Sequence, residues 1–407
     1  MHTGILRALS TSVAVIMAAG LIASAHAAEI KSIRIGASAA KTGPNAAGAA
    51  VTHWPNVKLW VDQVNKKGGI MLKSAGNKRV PIELIEYDDR SSNDDAVKSV
   101  ERLATEDKAD FIIAPWGTGT NLAVAPVFAK YGYPQLAVTA VTDKGPELAK
   151  RWPNSFWLLG GGKHMASSLV DLLKKMNAEG KIGKKVAMIH VADGFGLDMV
   201  AGARPALKAA GFDVVYDKSY PLGTQDLSPV VNEIKGLGPD VFIAFSYPPG
   251  TFGLTALSKI AGFNPKVFYV GVGAAFPVYR DKFKPEAIEG VMGTGGWDAA
   301  SPKIQEYIKL HKEVNGAEPD AWASSVEYAS LEMLQQAIEK VGSLDRKAVV
   351  KALQTMEFDT VIGKVRLKGN VRANPWAVGQ WQDGKFYGLA PTKLPGAHAP
   401  IAKPAWK

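Results

Sequence analysis

From Ile33 onward, short runs rich in β-branched residues alternate with stretches whose apolar positions recur at helical spacing. Ile33 and Ile35 open a strand that closes on Gly36-Ala37-Ser38. Val57, Trp60, Val61 and Val64 then fall on one helical face, ahead of a stop at Lys67-Gly68-Gly69. The alternation continues with a strand over Ile82 to Tyr87, a helix from Ala96 to Leu103, a buried strand at Phe111 to Ala114, a helix from Val124 to Tyr131 and a strand at Gln135 to Val138. Strands that alternate with helices of this length predict a parallel sheet with crossover helices.

A second series begins after Trp152-Pro153-Asn154, with a helix carrying Leu169, Leu172, Leu173 and Met176 on one face. Strands are expected at Val186 to Val191, Val214 to Tyr216, Val241 to Phe245 and Val267 to Val270. Helices lie between them near Ala201 to Ala210, Pro229 to Ile234 and Leu254 to Ile260. After Gly290 to Gly293 come two more helices, the later one bearing Tyr328, Leu331, Leu334 and Ile338. Near the end, Val378 to Tyr387 reads as a hairpin turning at Asp383-Gly384. The fold class is therefore α/β, with two doubly wound parallel-sheet domains. The strand ends of two such sheets leave a cleft between them, where open α/β sheets place ligands.

A chain of 407 residues has room for two cores. Hydrophobic residues at 47% and charged residues at 21% argue against a disordered chain. The opening residues differ: His2 and Arg7 precede an uncharged run from Ala8 to Ala25 that closes on Ala25-His26-Ala27. This reads as a secretory signal peptide over residues 1–27 with cleavage after Ala27, leaving a soluble periplasmic protein. The absence of cysteine removes disulfides, thiolate nucleophiles, cysteine zinc sites and lipid attachment at an N-terminal Cys. A net charge of +10 comes from dispersed pairs such as Lys66-Lys67 and Lys184-Lys185, without the stripe that nucleic-acid binding requires.

Two loops at expected strand ends suit an anion. Pro115-Trp116-Gly117-Thr118-Gly119-Thr120-Asn121 leaves a strand and opens a helix, so small residues allow backbone N–H groups and Thr hydroxyls to converge on a carboxylate or phosphate. An N-cap at Thr118 or Thr120 with glycines in a turn accounts for the same residues. Thr139-Ala140-Val141-Thr142-Asp143 invites the same two readings. Six aromatics, Trp54, Trp116, Phe195, Tyr247, Phe276 and Tyr328, fall on or beside these and other strand-end loops. Together they predict a ring-lined pocket, although each one separately also suits packing beneath a loop. Histidines are dispersed, and Asp88-Asp89 and Asp94-Asp95 read as strand-end turns and helix caps, so no catalytic group, metal site or cofactor is expected.

The chain resembles the type I periplasmic solute-binding proteins of ABC importers, specifically the leucine/isoleucine/valine-binding family. The resemblance rests on Ile33-Arg34-Ile35-Gly36 with Thr42-Gly43-Pro44, Val64 to Ile70, Glu86-Tyr87-Asp88-Asp89, Ala187 to His190 with Phe195-Gly196, and Phe358 to Gly363 followed by Gly379-Gln380-Trp381. It implies a three-segment hinge joining an N-terminal lobe of residues 29–157 and 293–373 to a C-terminal lobe of 158–292 and 374–407. It also implies a monomer that serves membrane permease subunits. A hydroxyl residue and backbone amides that hold the ligand carboxylate fall on Thr118 and Gly119, with the next loop at Ala140 to Thr142. The aromatics that close on the ligand fall on Phe195, Tyr247 and Tyr328.

One departure bears on the ligand. The acid that holds an amino-acid ammonium in that family falls on Val272, and a buried ammonium without a carboxylate partner is penalised by several kcal/mol. The expected ligand is thus a carboxylate lacking an α-amine, aromatic or branched, unless Asp193 or another acid takes the ammonium. The alternatives are an amino-acid or amide binder of the same family, or a ligand-sensing subunit of a membrane receptor. Lys163, at the crossing between domains, is a candidate positive charge near the cleft.

Overall fold

A computed structural model of the chain describes residues 30–373 and 375–407. The signal peptide expected over residues 1–27 lies outside them. No helix among the described residues is long and apolar enough to cross a membrane.

The molecule has two α/β lobes. In the first, Ile33–Ser38 lies between Ile82–Tyr87 and Phe111–Ile113, parallel to both, with Ile33 opposite Ile82 and Ile35 opposite Phe111. Ile33, Ile35 and Phe111 are fully buried, as expected for a parallel sheet covered by helices on its faces. The expected strand at Gln135 is present as Gln135–Ala137 and pairs with Ser155–Trp157, a strand of three residues that sequence periodicity is too short to reveal. The hairpin Ile70–Leu72 with Lys78–Val80 is hidden for the same reason.

The second lobe is built on a seven-stranded sheet. Its order is Lys385–Ala390, Val378–Gln382, Met292–Thr294, Val267–Val270, Val241–Phe245, Lys185–Val191, Asp213–Tyr220. The last five strands in this order run parallel, and the C-terminal hairpin adds antiparallel to Met292–Thr294. Asp383 and Gly384 both have positive φ, 50° and 74°, the pattern of a two-residue type I′ turn. That turn sets Gln382 opposite Lys385. The later helices are Pro302–Asn315 and Ala323–Val341, followed by a third, Arg346–Thr355, that the apolar pattern did not suggest.

Close helix packing brings the second lobe's loops to the cleft. Gly162–Ala178 and Gly194–Ala209 approach so closely that a Cβ on Gly162 would sit 2.1 Å from the Asp198 carbonyl oxygen. A Cβ on Gly202 would sit 2.7 Å from the Gly162 carbonyl oxygen.

Candidate functional site

The loop after Phe111–Ile113 is organised from within. Gly117, at φ 105°, caps the helix Thr118–Tyr131 and receives no side-chain cap. Such a backbone conformation favours glycine, which has no Cβ to clash. The Thr120 hydroxyl turns back to donate to the Trp116 and Gly117 carbonyls, at 2.6 and 3.0 Å. Asn121 Nδ2 donates to Pro115 O at 2.7 Å and Gly117 O at 2.9 Å. Thr120 and Asn121 are thereby spent on holding the loop, so Thr118 is the hydroxyl of the first turn left to face the cleft.

Two threonines join this loop to the next. Thr139 Oγ1 accepts from Gly117 N at 3.0 Å and donates to Pro115 O at 3.1 Å. Thr118 Oγ1 accepts from Val141 N at 3.1 Å, which leaves its own proton to be directed elsewhere. The amino end of the helix faces the second lobe, since a Cβ on Gly194 would lie 3.4 Å from Thr118 Cγ2 and 3.9 Å from Gly119 N.

The second lobe answers with an acid and two rings. Asp193 caps the helix Gly194–Ala209, accepting from Gly196 N at 3.0 Å, and its other oxygen accepts from the Tyr247 hydroxyl at 2.8 Å. Burial pushes Asp193 above the usual carboxylate range, while these two hydrogen bonds pull the other way. Tyr247 itself stands at the amino end of the helix Pro248–Ala261. Its ring stacks on Phe195 at 5.3 Å and tilts against Trp116 of the first lobe at 5.4 Å. Burial, with Asp193 beside it, pushes the phenol well above its ordinary range, so it stays a neutral donor.

These groups leave a cavity of about 10 Å³ between them, room for about one water. Of the residues singled out from sequence, Trp116, Thr118, Phe195, Tyr247 and Val272 share its wall. The others lie apart. Gly119 sits in the first helical turn without entering the wall, and Ala140 packs with Ala137 and Trp157. Thr142 is occupied locally, its amide donating to Gly160 O at 3.0 Å and its hydroxyl accepting from Lys144 N at 3.2 Å. The Trp54 indole donates to Ala40 O at 3.3 Å beneath Lys41. Phe276 caps the helix Pro277–Phe283, and Tyr328 rests against Tyr307 at 5.3 Å. Lys163 is exposed, and its backbone N–H donates to Asp143 at 3.0 Å.

Sequence reasoning passed over Thr52 and Trp322, both in the wall. A fully buried carboxylate behind them, Asp320, sets their positions. It accepts from Thr52 Oγ1 at 3.0 Å, Trp322 N at 2.9 Å, Ser324 N at 3.1 Å and the Ser324 hydroxyl. Burial raises the Asp320 pKa and these four donors oppose the rise. Trp322 Nε1 is buried and has no hydrogen-bond partner among the described residues. Deeper in the lobe, His53 Nδ1 lies 3.2 Å from Glu327 Oε1, both side chains fully buried. A signal was available for Trp322, an aromatic three residues beyond Pro319 at a helix start, but nothing local ties it to Thr52.

The acidic pairs serve turns and caps. Asp88 accepts from Lys41 N and Arg90 N, both at 2.8 Å, and Asp94 and Asp95 stand in the first turn of a helix capped by Ser92. Burial pushes Asp89 up to about 6.

Comparison with known proteins places this geometry. A family model described as periplasmic binding protein matches residues 32–385. The Leu/Ile/Val-binding protein homolog 7 of Brucella suis is 26% identical over 360 residues, covering 82% of this chain and 86% of that one. A solute binding protein of an ABC transporter from R. palustris, solved in complex with benzoate, superposes with a TM-score of 0.75 at 20% identity, over 92% of this chain and 99% of that one. The branched-chain amino acid transporter substrate binding protein LivJ from Streptococcus pneumoniae, in complex with isoleucine, gives 0.75 at 19% identity, over 92% and 100%. At these identities the two structures establish a common fold.

Proposed function

The chain belongs to the periplasmic binding protein family, and on that premise we propose that it captures a small carboxylate lacking an α-amine and delivers it to an ABC importer. It is a binder of a small organic ligand and not an enzyme. The lobes that close are residues 29–157 with 293–373 and residues 158–292 with 374–407, working as a monomer with the permease subunits of the inner membrane. Closure is favoured by a ligand that touches both lobes, because only differential contacts shift such an equilibrium.

The observation that carries the reading is that no charged side chain lines the cleft wall among the described residues, and the acid beside it, Asp193, is already engaged by Gly196 and Tyr247. A carboxylate is served there by the Thr118 hydroxyl and the amides of the first helical turn. An ammonium has no such service, since Val272 offers none and Asp193 already accepts from Gly196 and Tyr247. Leaving an ammonium unpaired in a buried site is penalised by several kcal/mol, enough to remove useful affinity. The rings of Trp116, Phe195 and Tyr247 suit a flat apolar body, each ~25 cal/mol per Å² of surface withdrawn from water. The benzoate-bound relative of the same fold is in keeping with this ligand class.

Calorimetric titration of the purified protein with benzoate, other aromatic acids and leucine tests the proposal. Binding of an aromatic acid, with leucine weaker, is expected. Tight binding of leucine with none for any aromatic acid overturns it in favour of an amino-acid binder whose ammonium is held by Asp193.

A further inference from the structure

Next to the cleft site, and sharing Trp322 with it, is a larger cavity that none of the two anion loops enters. A cavity of about 290 Å³ lies among Trp297, Trp322, Trp376, Ile304, Asp298 and Arg372. Trp297 and Trp322 are 9% and 4% exposed, so their indole faces are available only to something inside the protein.

Arg372 is the unexplained member of this wall. Its one side-chain hydrogen bond among the described residues is a long one, Nη1 to Leu158 O at 3.4 Å, and it makes no ion pair there. A guanidinium carries five N–H donors in a planar fork, so most of its capacity is unspent. Burial pulls its pKa down to about 10, which leaves it charged at neutral pH, and no acid pairs with it among the described residues. The residue is half-buried at the cavity wall. Trp322, which lines both this cavity and the cleft, has a buried Nε1 without a partner among the described residues. Unspent donors beside three indoles suit a ligand that carries an acceptor and a flat apolar face.

We propose that this cavity is a second small-molecule compartment, which takes a flat monocarboxylate with its carboxylate on Arg372 and its ring among Trp297, Trp322 and Trp376. Arginine matches a carboxylate through two parallel hydrogen bonds, and indole faces match a planar apolar body. Asp298 decides against a dianion. Its Oδ1 accepts from Ala300 N at 3.0 Å, and its negative charge lies in the same wall as Arg372 without pairing to it. A single negative charge is drawn to Arg372, and a second would meet Asp298. The compartment does not rest on the reading of the cleft, because Thr118 lines only the cleft and Arg372 lines only this cavity.

The test titrates the whole protein with benzoate, benzamide and inorganic phosphate, for the native sequence and for Arg372→Gln, Trp376→Ala and Thr118→Val. In parallel, the indole N–H resonance of Trp322 is followed by NMR. Expected is a class of benzoate binding that weakens about tenfold or more in Arg372→Gln and Trp376→Ala, persists in Thr118→Val, and is absent for benzamide. Because Trp322 lines both spaces, benzoate should shift its N–H signal in Thr118→Val, and that shift should be lost when Arg372→Gln is added. Trp376 is half-buried, so Trp376→Ala supplies the answer should Arg372→Gln fail to fold. Benzoate binding untouched by either substitution overturns the compartment, as does benzamide or phosphate bound there as tightly as benzoate. Loss of all benzoate binding in Thr118→Val, with neither other variant affected, leaves the cleft reading standing and this one fallen. The reverse pattern does the opposite.

Discussion

The Tyr247 hydroxyl donates to the Asp193 carboxylate at 2.8 Å, tying the residue at the amino end of the helix Pro248–Ala261 to the residue at the amino end of Gly194–Ala209. The bond holds the Tyr247 ring in place between Phe195 and Trp116, and so aligns the aromatic wall that both lobes contribute. It also engages the acid that an amino-acid ligand would need.

Asp193→Asn therefore separates the two ligand classes. The amide keeps an oxygen for Gly196 N or Tyr247 while removing the charge, so affinity for an aromatic acid should stay within about threefold or improve. Calorimetry on the folded variant decides, and loss of aromatic-acid binding would mean that the carboxylate takes part in recognition. Tyr247→Phe should instead lower stability by about 1 kcal/mol, because it strips a half-buried carboxylate of one of its two donors.

Asp320 supports the cleft wall from behind with four accepted hydrogen bonds. Asp320→Ala leaves the donors of Thr52, Trp322 and Ser324 without an acceptor in the interior, and a loss of about 3 kcal/mol or more is expected from urea unfolding. Asp320→Asn should fall between the variant and the native protein, since its amide nitrogen faces donors where an oxygen accepted. Equal stability of all three would show that water replaces the carboxylate.

The helix pair of the second lobe offers a steric test. Gly162→Ala drives a methyl group against the Asp198 carbonyl, and the helices must separate, at about 1–3 kcal/mol. Gly236→Ala is the control, at an exposed position of the helix Ser228–Leu237 with nothing within 4 Å of the new carbon. It should stabilise by about 0.5–1 kcal/mol, because alanine has less backbone freedom to lose. Chemical denaturation of both variants measures the contrast, and a Gly162→Ala protein as stable as the native one would contradict the close approach.

Lys403 gives the C-terminal tail a pH dependence. Its ammonium donates to Asn264 Oδ1 and Pro404 O and lies 3.5 Å above the Trp406 ring, yet burial first, then Lys259 and Lys266, push its pKa down to about 7. The unfolded chain has an ordinary lysine, near ~10.4, so between pH 7 and that value it binds more protons than the folded chain. Stability should rise with pH across this window, and the burial penalty is fully present below pH 7. Urea midpoints at pH 7 and 9 should show the rise in the native protein and a flatter profile in Lys403→Met. A native midpoint that falls over this range would refute the assignment.

Local pattern determined most of the fold. Apolar spacing placed the strands at Ile33, Ile82, Phe111, Val241 and Val267 because residues that alternate or run apolar must face a core, and neighbours along the chain encode that face. The Asp383-Gly384 turn was legible because its backbone needs two positive φ values that few residue pairs accept. Strands of three residues, such as Ser155–Trp157, carried too few positions to show a period, and only their partners define them. Trp116, Thr118, Phe195, Tyr247 and Val272 could be singled out because strand-end loops are where a doubly wound sheet presents side chains. Their assembly into one wall, the engagement of Asp193 by Tyr247, the support of Trp322 by Asp320 across from Thr52, and the unpaired guanidinium of Arg372 were decided by the tertiary structure alone. Thr52 and Asp320 are 268 positions apart, and no local rule of spacing carries information over that distance. A hydrogen bond or a cavity depends on where two distant segments meet in space, and folding settles that only when the whole core has packed.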